Sequence, residues 1–182
     1  MARWRFGRGW REEELRRLLA ELPGCRPNFS ARVEEMTRER GWHYDPFERE
    51  LGREAAGAPL PGGLFCRARE GLIRYEFSDP RLVEAHFDAA APLKGRNMLI
   101  DMKAGGFHFL NPVRVRDAWD ESRPDQSCFG FEYETLEGHI ERGIERFMVI
   151  KEHRTGCVRF RIEDHWRPGD FPTWWSRAGF LL

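Results

Sequence analysis

Alternation of apolar and polar residues is clearest in the last third of the chain. Three segments alternate with period two, and their apolar positions are Phe129, Phe131 and Tyr133, then Phe147 and Val149, then Val158, Phe160 and Ile162. Such alternation is typical of strands that bury one face. A loop over 136–144 and a tight turn near 153–156 connect the segments. The pattern therefore predicts an antiparallel meander with one core face.

Helical spacing dominates the first part of the chain instead. Over residues 11–22, leucines recur every three or four positions, glutamates occupy the first turn, and Pro23-Gly24 follows. These features predict an amphipathic helix that ends at the proline. Two further helices are predicted, one over 30–40 between a Ser30 cap and a Gly41 stop, and one that opens at Asp45-Pro46 and carries Phe47 and Leu51 inward.

The middle of the chain combines a loop with short apolar runs. Residues 55–63 have the composition of a loop or linker. Beyond them we expect strands at 64–68 and 72–77, a helix from Ser78-Asp79-Pro80 to about Phe87, and strands at 97–102, 106–110 and 113–119. Together the elements predict an α+β fold in a single domain over 1–182. Its N-terminal part, 1–54, is expected to be helical, and 64–182 to be mainly antiparallel sheet with a short C-terminal helix.

Three polar residues share the parity of the core face of the meander. They are Thr135, Glu145 and Asp164. A turn at 153–156 that pairs residue 152 with 157 places Glu145 opposite Asp164, and simple closure of the preceding loop places Thr135 opposite Glu145. Two carboxylates about 5 Å apart across a sheet repel each other, which raises the proton affinity of one of them. The row thus predicts an acid–base pair or a polar anchor at a pocket mouth. The alternative is that these strand-end residues are solvated or paired with arginines.

His139 lies between Glu137 and Glu141 in the loop that joins the first two strands of the meander. Neighbouring carboxylates favour a protonated imidazole, which is a candidate general acid or a weak metal ligand. The spacing matches no established metal pattern, so no metal ion or cofactor is predicted. The alternative interpretation is a structured hairpin loop.

Both ends of the chain are rich in aromatic residues. The stretch 166–180 holds three of the seven tryptophans, and Asp170 is a suitable cap for a final helix. Trp174 and Trp175 cannot both face inward on one helix, so one of them is expected to line a pocket, stack on arginine or meet a partner, unless the helix simply closes the core. At the other end, aromatic residues interleave with Arg3, Arg5, Arg8 and Arg11, a composition that suits nucleic-acid or phosphate contact.

Charge and cysteine usage narrow the function classes. The 182 residues include 30 basic and 30 acidic ones, and the neutral net charge gives no general attraction for nucleic acid or anionic membrane. With only three lysines, the basic residues are nearly all arginine, which favours salt-bridge networks. The four cysteines are widely spaced, and neither a leader-like segment nor an apolar run of membrane-spanning length occurs. We therefore expect reduced core cysteines, a cytoplasmic location and no membrane span.

The run G-F-E-Y-E-T-L-E-G-H-I-E-R-G-I-E-R-F at 130–147 resembles the signature of an uncharacterised bacterial and plant family, a domain of unknown function of the YndJ-like type. That pattern is G-F-x-Y-G-T-L-x-G-H-x-E-x-G-E-E-x-F, and the resemblance covers 130–168 best. Glu134 and Ile144 depart from it, standing where the family usually has Gly and Glu. The positions that match include Thr135, Gly138, His139, Glu141 and Glu145.

The resemblance implies a START-like helix-grip fold, in which a curved antiparallel sheet wraps a long C-terminal helix around an apolar cavity. Here only about ten residues follow Pro172, which is short for such a helix. The N-terminal helices would then cover the sheet instead. The family has no established activity to carry over.

Three functions fit these features. The first is a binding module for a small amphipathic molecule, with the sheet and helices around a partly apolar pocket. The second is an enzyme that uses Glu145 and Asp164, with or without His139, for proton transfer in a hydrolysis, isomerisation or dehydration. The third is an interaction or regulatory protein that acts through either terminus. The residues predicted to contact a ligand are Tyr133, Thr135, Phe131, Phe147, Phe160 and Trp175. The oligomeric state is not indicated.

Overall fold

The computed structural model of the protein describes residues 3–169. Its strands are β1 (Arg3–Phe6), β2 (His43–Arg53), β3 (Val83–Phe87), β4 (Asn97–Ala104), β5 (Phe107–Ser122), β6 (Gln126–Thr135), β7 (Glu141–Glu152) and β8 (Cys157–Pro168). Its α-helices are α1 (Glu12–Glu21) and α2 (Leu64–Ile73). The predicted α+β class is thereby confirmed.

All eight strands join one antiparallel sheet, in the order β2-β8-β7-β6-β5-β4-β3, with β1 paired to the first half of β5. The predicted meander corresponds to β6, β7 and β8. Bulges interrupt the pairing of β2 between Glu50 and Gly52 and that of β5 between Val115 and Asp117. Because a bulge bends its strand and increases the local twist, these irregularities are consistent with the predicted curved sheet.

The sheet carries a different apolar cluster on each face. On the α2 face, the main core joins the helix to the aromatic residues of the meander; it includes Phe65, Leu72, Phe129, Phe131, Phe147, Val149 and Val158. On the α1 face, Leu15, Leu18 and Leu22 pack against Leu99 and Leu110. The α1 helix predicted at 11–22 is thereby confirmed, and it covers the opposite face from α2.

The α1 face of the meander is held by charges rather than by a second core. Glu132, which is 6% exposed, pairs with Arg116 at 2.9 Å and with Arg146 at 2.6 Å. Arg146 lies opposite Glu163 on β8, and Glu163 in turn pairs with Arg161. Cross-strand pairs of opposite charge stabilise adjacent strands. The expected arginine–carboxylate network therefore lies on this face.

Two predicted N-terminal helices are wrong. Over 30–40 the chain makes two short 3-10 turns, Val33–Glu35 and Arg38–Arg40, and Gly41 ends the second in the left-handed conformation with φ 76°. The helix expected from Asp45-Pro46 is strand β2. Because β2 is an edge strand, the missing amide hydrogen of the proline leaves no gap in the ladder.

The predicted strands at 64–68 and 72–77 are also wrong, since this region holds helix α2. Phe65 and Leu72 are its buried positions, two turns apart. The helix expected from Ser78 to Phe87 is a turn followed by β3. The carboxylate of Asp79 accepts a hydrogen bond from Arg81 N at 2.9 Å, which is how an Asx turn forms. The same side-chain chemistry that caps helices thus closes a turn here.

A buried ion pair ties the loop before α2 to the sheet. Lys151, whose side chain is fully buried, lies 2.6 Å from Glu54 and donates to the carbonyl oxygens of Ala55 and Ala58 at 3.0 and 2.9 Å. The other carboxylate oxygen of Glu54 accepts from Phe65 N at the start of α2. Lys151 therefore anchors both the loop and the helix that covers the core.

We predict that Lys151→Met lowers the free energy of unfolding by about 3 kcal/mol, because it leaves the Glu54 carboxylate buried without its cation. Urea unfolding followed by circular dichroism measures the change. Lys94→Met is the matched control, since Lys94 makes an exposed pair with Asp117 and exposed pairs contribute about 1 kcal/mol or less. Equal losses in the two variants would contradict the anchoring role.

Candidate functional site

A row of polar side chains crosses four neighbouring strands on the α2 face. Asp45 of β2 pairs with Asp164 of β8, Asp164 with Glu145 of β7, and Glu145 with Tyr133 of β6. Directly opposed residues on a sheet have Cβ atoms about 5 Å apart and point to the same side. The row therefore places three carboxyl groups and a phenol side by side. We call these four residues the carboxyl row.

The register explains which predicted neighbours come together. Glu145 lies opposite Asp164, as expected. The prediction that Thr135 lies opposite Glu145 is wrong, because that place belongs to Tyr133. The Thr135 hydroxyl accepts from Gly143 N at 2.8 Å and donates to Asn28 Oδ1 at 2.7 Å. Thr135 thus ties the N-terminal segment to the hairpin and stands outside the row.

Two tyrosines close one end of the carboxyl row. The Tyr133 hydroxyl donates a hydrogen bond to Glu145 Oε2, and the Tyr75 hydroxyl lies close enough to Tyr133 to affect its own proton affinity. Tyr75 follows α2 and has a left-handed backbone with φ 59°, the one such non-glycine residue among those described. This conformation is disfavoured for a bulky residue, so packing must hold it. Its ring lies 4.4 Å from that of Phe77 and 5.9 Å from that of Phe147.

The other end of the carboxyl row is more open. Asp45 is exposed, and its Oδ2 accepts a hydrogen bond from Trp166 Nε1 at 2.6 Å. The Trp166 ring in turn stacks on His43 at 4.3 Å. Between Glu141 and Glu145 the chain has Gly143, where a Cβ would lie 2.0 Å from the carbonyl oxygen of His165. A glycine is therefore required for β7 and β8 to approach so closely.

Burial and mutual repulsion shift the proton affinity of these carboxyl groups. Burial, then the negative charges of Glu145, Glu141 and Asp45, raise the pKa of Asp164 to about 9. Burial also raises the pKa of Glu145 to about 7, against the hydrogen bond from Tyr133, which lowers it. For Glu141, burial and the charges of Glu145 and Asp45 raise the pKa to about 7. Near neutral pH the group therefore holds protons and can both donate and accept hydrogen bonds.

A groove of about 480 Å³ lies on the same face, between α2 and the edge of the sheet, and its lining combines apolar residues with the charged side chains of Arg49, Glu50 and Glu76. Its apolar lining consists of Phe47, Leu51, Ala68, Leu72, Phe77 and Phe160. Phe47 is 52% exposed and Leu51 42% exposed, although both belong to a face that is otherwise a core. Phe47 pairs with Ile162, one step of the same face away from the pair of Asp45 and Asp164. The groove and the carboxyl row are therefore adjacent.

An uninterrupted series of aromatic rings joins the two features. Phe77 lies 5.3 Å from Phe160 in the groove and 4.4 Å from Tyr75 at the row. Phe147 lies beneath them, 4.8 Å from Phe77 and 5.4 Å from Tyr133. Offset and tilted contacts at these distances are favourable for aromatic pairs. The result is one surface that is apolar at one end and acidic at the other.

The predicted apolar contact residues divide into two groups. Phe160 lines the groove. Phe131 and Phe147 are each only 1% exposed and pack against each other at 5.2 Å, so they form the floor beneath the surface. Trp175 lies outside the described residues.

The expectation of a protonated His139 is wrong. His139 is buried, and burial lowers its pKa to about 3. Its Nδ1 accepts a hydrogen bond from Glu141 N at 2.9 Å, which requires the neutral ring with the proton on Nε2. The alternative interpretation, a structured hairpin loop, is supported.

The basic N-terminal stretch is largely neutralised within the chain. Arg3 pairs with Glu21 at 3.0 Å, and Arg5 and Arg11 both pair with Glu14, at 3.1 and 3.3 Å. These arginines are thus engaged by carboxylates of α1, which leaves little positive charge for phosphate contact.

Two further predictions concern the cysteines and membrane-spanning helices. The four cysteines are free, with Cys157 buried and the other three half-buried. Within residues 3–169, no helix combines the length and the apolarity needed to cross a membrane.

Several residues of the site escape sequence reasoning. The sequence pattern predicts a helix at Asp45 and Phe47, although the step of two between them is the same step that relates Ile162 and Asp164 on β8. The pattern predicts a strand at Tyr75, and nothing in its local sequence indicates a left-handed backbone. Trp166 shares the parity of Asp164, so alternation along β8 could have placed it on the α2 face.

Comparison with known proteins identifies a family and one relative. A family model described as Domain of unknown function (DUF1990) matches residues 29–182. A protein of Dictyostelium discoideum named UPF0548 protein is 31% identical over 120 residues, which are 64% of this chain and 56% of that protein. The chain thus spans little more than half the length of this relative. Neither description states an activity.

The raised carboxyl pKa values predict a pH-dependent stability. A carboxyl group whose pKa is higher in the folded state binds more protons there, so stability falls as pH rises from its unfolded value, near 4, towards the folded value. We predict that Asp164→Asn becomes progressively more stable relative to the parent between pH 5 and pH 9, as urea unfolding measures. In the control Asp117→Asn, the difference stays constant over this range, since Lys94 lowers the pKa of Asp117. A pH-independent effect of Asp164→Asn would contradict the site's electrostatics.

Proposed function

Because the chain belongs to the DUF1990 family of domains of unknown function, its function has to be inferred from the site itself, and we propose that it binds a small amphipathic molecule. The predicted resemblance to an uncharacterised domain-of-unknown-function family is confirmed by this match. The apolar part of the ligand would lie in the groove beside α2. Its polar group would meet the carboxyl row.

The observation that carries the proposal is the adjacency of the groove and the row on one face of the sheet. Ligand sites are typically apolar concavities with a few convergent polar groups. Here Phe47, Phe77 and Phe160 offer the apolar surface, while Glu145 and Asp164, both half-buried, supply the polar groups. Exposed aromatic side chains such as Phe47 gain free energy when a ligand covers them.

The electrostatics of the row favour a head group that donates hydrogen bonds, above all a cationic amine. The carboxyl groups hold protons because their charges repel one another and are poorly solvated. An ammonium group placed among them would offset that repulsion and allow the carboxyl groups to ionise. A carboxylate head group would add a further negative charge and be disfavoured.

A START-like helix-grip relation is part of the proposal. Strand β2 lies beside β8, the last strand, at one edge of the sheet, and α2 packs on the face that includes the core residues of the meander. This arrangement supports a sheet that encloses a ligand between itself and a helix. Trp175, outside the described residues, remains a predicted ligand contact.

Three probes with the same twelve-carbon chain test the proposal: dodecylamine, dodecan-1-ol and dodecanoate. Each is titrated, below its micelle concentration, against protein carrying the neutral dye Nile red, and displacement is followed by fluorescence. We expect the amine to bind at least tenfold more tightly than the carboxylate, with the alcohol between them. Asp164→Asn should reduce the preference for the amine.

A matched pair of variants tests whether the ligand binds in the groove. Phe47→Ala should weaken binding of dye and amine about tenfold, because it removes exposed apolar surface within the groove. Leu82→Ala removes a side chain that is 61% exposed and lies outside the groove lining, and it should change nothing. Equal affinity of the three probes, or equal effects of the two substitutions on binding, would contradict the proposal.

A second candidate function is proton transfer catalysed by the row. It is favoured by the pKa of about 7 for Glu145, since a general acid or base works best when its pKa is near the working pH. Tyr133 and Tyr75 would then orient Glu145, and Asp164 would hold the exchanged proton. The class of reaction would be proton abstraction next to a carbonyl, or a related isomerisation or dehydration.

A ketone probe tests this candidate without knowledge of the substrate. Exchange of the α-protons of undecan-2-one in D₂O is followed by NMR. If the row transfers protons, the parent protein accelerates exchange and Glu145→Gln loses at least tenfold of that acceleration, while Glu137→Gln in the hairpin loop retains it. An exchange rate no greater than that of buffer would exclude the candidate.

A further inference from the structure

A second group of chemically active side chains lies on the α1 face, away from the carboxyl row. Strand β3 alternates, so that Val83, Ala85 and Phe87 pack towards α2 while Glu84 and His86 face the other way. On β4, Asp101 lies directly opposite Glu84. Two strands therefore bring a histidine and two carboxylates to one patch of this face.

The distances within this group suit a shared ion. One potential ligand atom from each of Glu84, His86 and Asp101 lies within 4.8 Å of the others. Around a tetrahedral zinc ion, with ligands at about 2.1 Å, donor atoms are separated by roughly 3.4 Å. Small side-chain rotations close the difference, and Glu84 and His86 are half-buried rather than locked in the core.

Asp101 supplies an independent reason to expect a cation. It is 2% exposed, and its Oδ2 lies 2.8 Å from His108 Nδ1. Its Oδ1 is buried and has no hydrogen-bond partner in the part of the chain that the structure describes. A buried carboxylate oxygen without a donor is unfavourable by about 1–3 kcal/mol or more, and a metal ion would satisfy it.

The residues around Asp101 match the surroundings of a metal ligand. A protonated Nδ1 on His108 donates to Asp101 and fixes the direction in which the other carboxylate oxygen points, as supporting partners of ligands commonly do.

Lys103 opposes a metal at this site. Its Nζ lies 2.5 Å from Glu84 Oε2 and 2.8 Å from the carbonyl oxygen of Pro80. The ammonium group therefore competes for Glu84 with any ion held by His86 and Asp101. Because of this competition, we expect that removal of the Lys103 ammonium group increases the affinity for a metal ion.

We propose that Glu84, His86 and Asp101 bind a divalent transition-metal ion. Zn²⁺ fits a set of one nitrogen and two oxygen ligands, and Mn²⁺, Fe²⁺ and Co²⁺ are chemically related alternatives. With three protein ligands and two of them half-buried, at least one coordination position would face solvent. The site is independent of the proposed ligand groove, since it lies on the opposite face of the sheet.

The test uses tag-free full-length protein, stripped with a chelator and titrated with Zn²⁺ by isothermal calorimetry. We expect one equivalent to bind. His86→Gln and Glu84→Gln should each weaken the affinity at least tenfold, and Lys103→Met should strengthen it severalfold. His165→Gln is the control for histidine loss elsewhere on the sheet and should leave the affinity unchanged. Circular dichroism checks that each variant is folded.

Co²⁺ provides a second measurement that does not depend on affinity alone. Its visible absorption reports the coordination sphere, and the spectrum should be lost or altered in His86→Gln and retained in His165→Gln. Asp101→Asn is not used as the main variant, because substitution of a buried residue can prevent folding. Absence of stoichiometric binding, or the same affinity in His86→Gln and His165→Gln, would overturn the proposal.

Discussion

The register between β7 and β8 is the constraint on which the rest of the site depends. It sets Phe147 opposite Ile162 and, one step of the same face further, Glu145 opposite Asp164. A slip of one residue would turn the two side chains of the slipped strand to the other face and separate both pairs. The buried aromatic residues make such a slip unfavourable, so the apolar core holds the two carboxyl groups together against their mutual repulsion. Packing of the aromatic core thus keeps Glu145 and Asp164 in an electrostatically unfavourable arrangement.

Much of this arrangement follows from local sequence. The meander is predictable because each of its strands buries one face. Apolar residues occupy every second position on that face, and Phe131, Phe147 and Val158 are fully buried members of it, one from each strand. A four-residue turn then sets Glu145 opposite Asp164. Helix α1 is predictable for the same kind of reason, since Leu15 and Leu18 face a core and its ends carry clear helix signals.

The remaining elements are decided by tertiary structure. In α2, apolar residues cluster at both ends, at Leu64–Phe65 and at Leu72–Ile73, and such clusters also fit two short strands. The sequence pattern does not predict strand β2, because Pro46 fits the first turn of a helix as well as it fits an edge strand. Asp45 and Tyr75 join the site from these two misassigned regions, so two of its acidic and phenolic groups could not be predicted. For His139 the sequence prediction fails for a different reason. Its charged neighbours in the sequence favour a protonated ring, but they carry no information about its burial, which lowers its pKa.

The two faces of the sheet differ in how they satisfy charge. On the α1 face of the meander, Glu132 is surrounded by arginines and its charge is balanced. On the α2 face, the carboxyl row relies on bound protons, the tyrosine hydroxyls and the indole of Trp166. That contrast, within one sheet of a chain with many arginines, is why the row is assigned a binding role rather than a structural one.

The central claim is that the groove and the carboxyl row form a single site. A crystal structure of the protein with dodecylamine tests it most directly. We predict that the amine nitrogen lies within hydrogen-bonding distance of Glu145 or Asp164, with the alkyl chain along Phe77 and Phe160. An alkyl chain seated elsewhere, or a nitrogen that points into solvent away from the carboxyl groups, would contradict it.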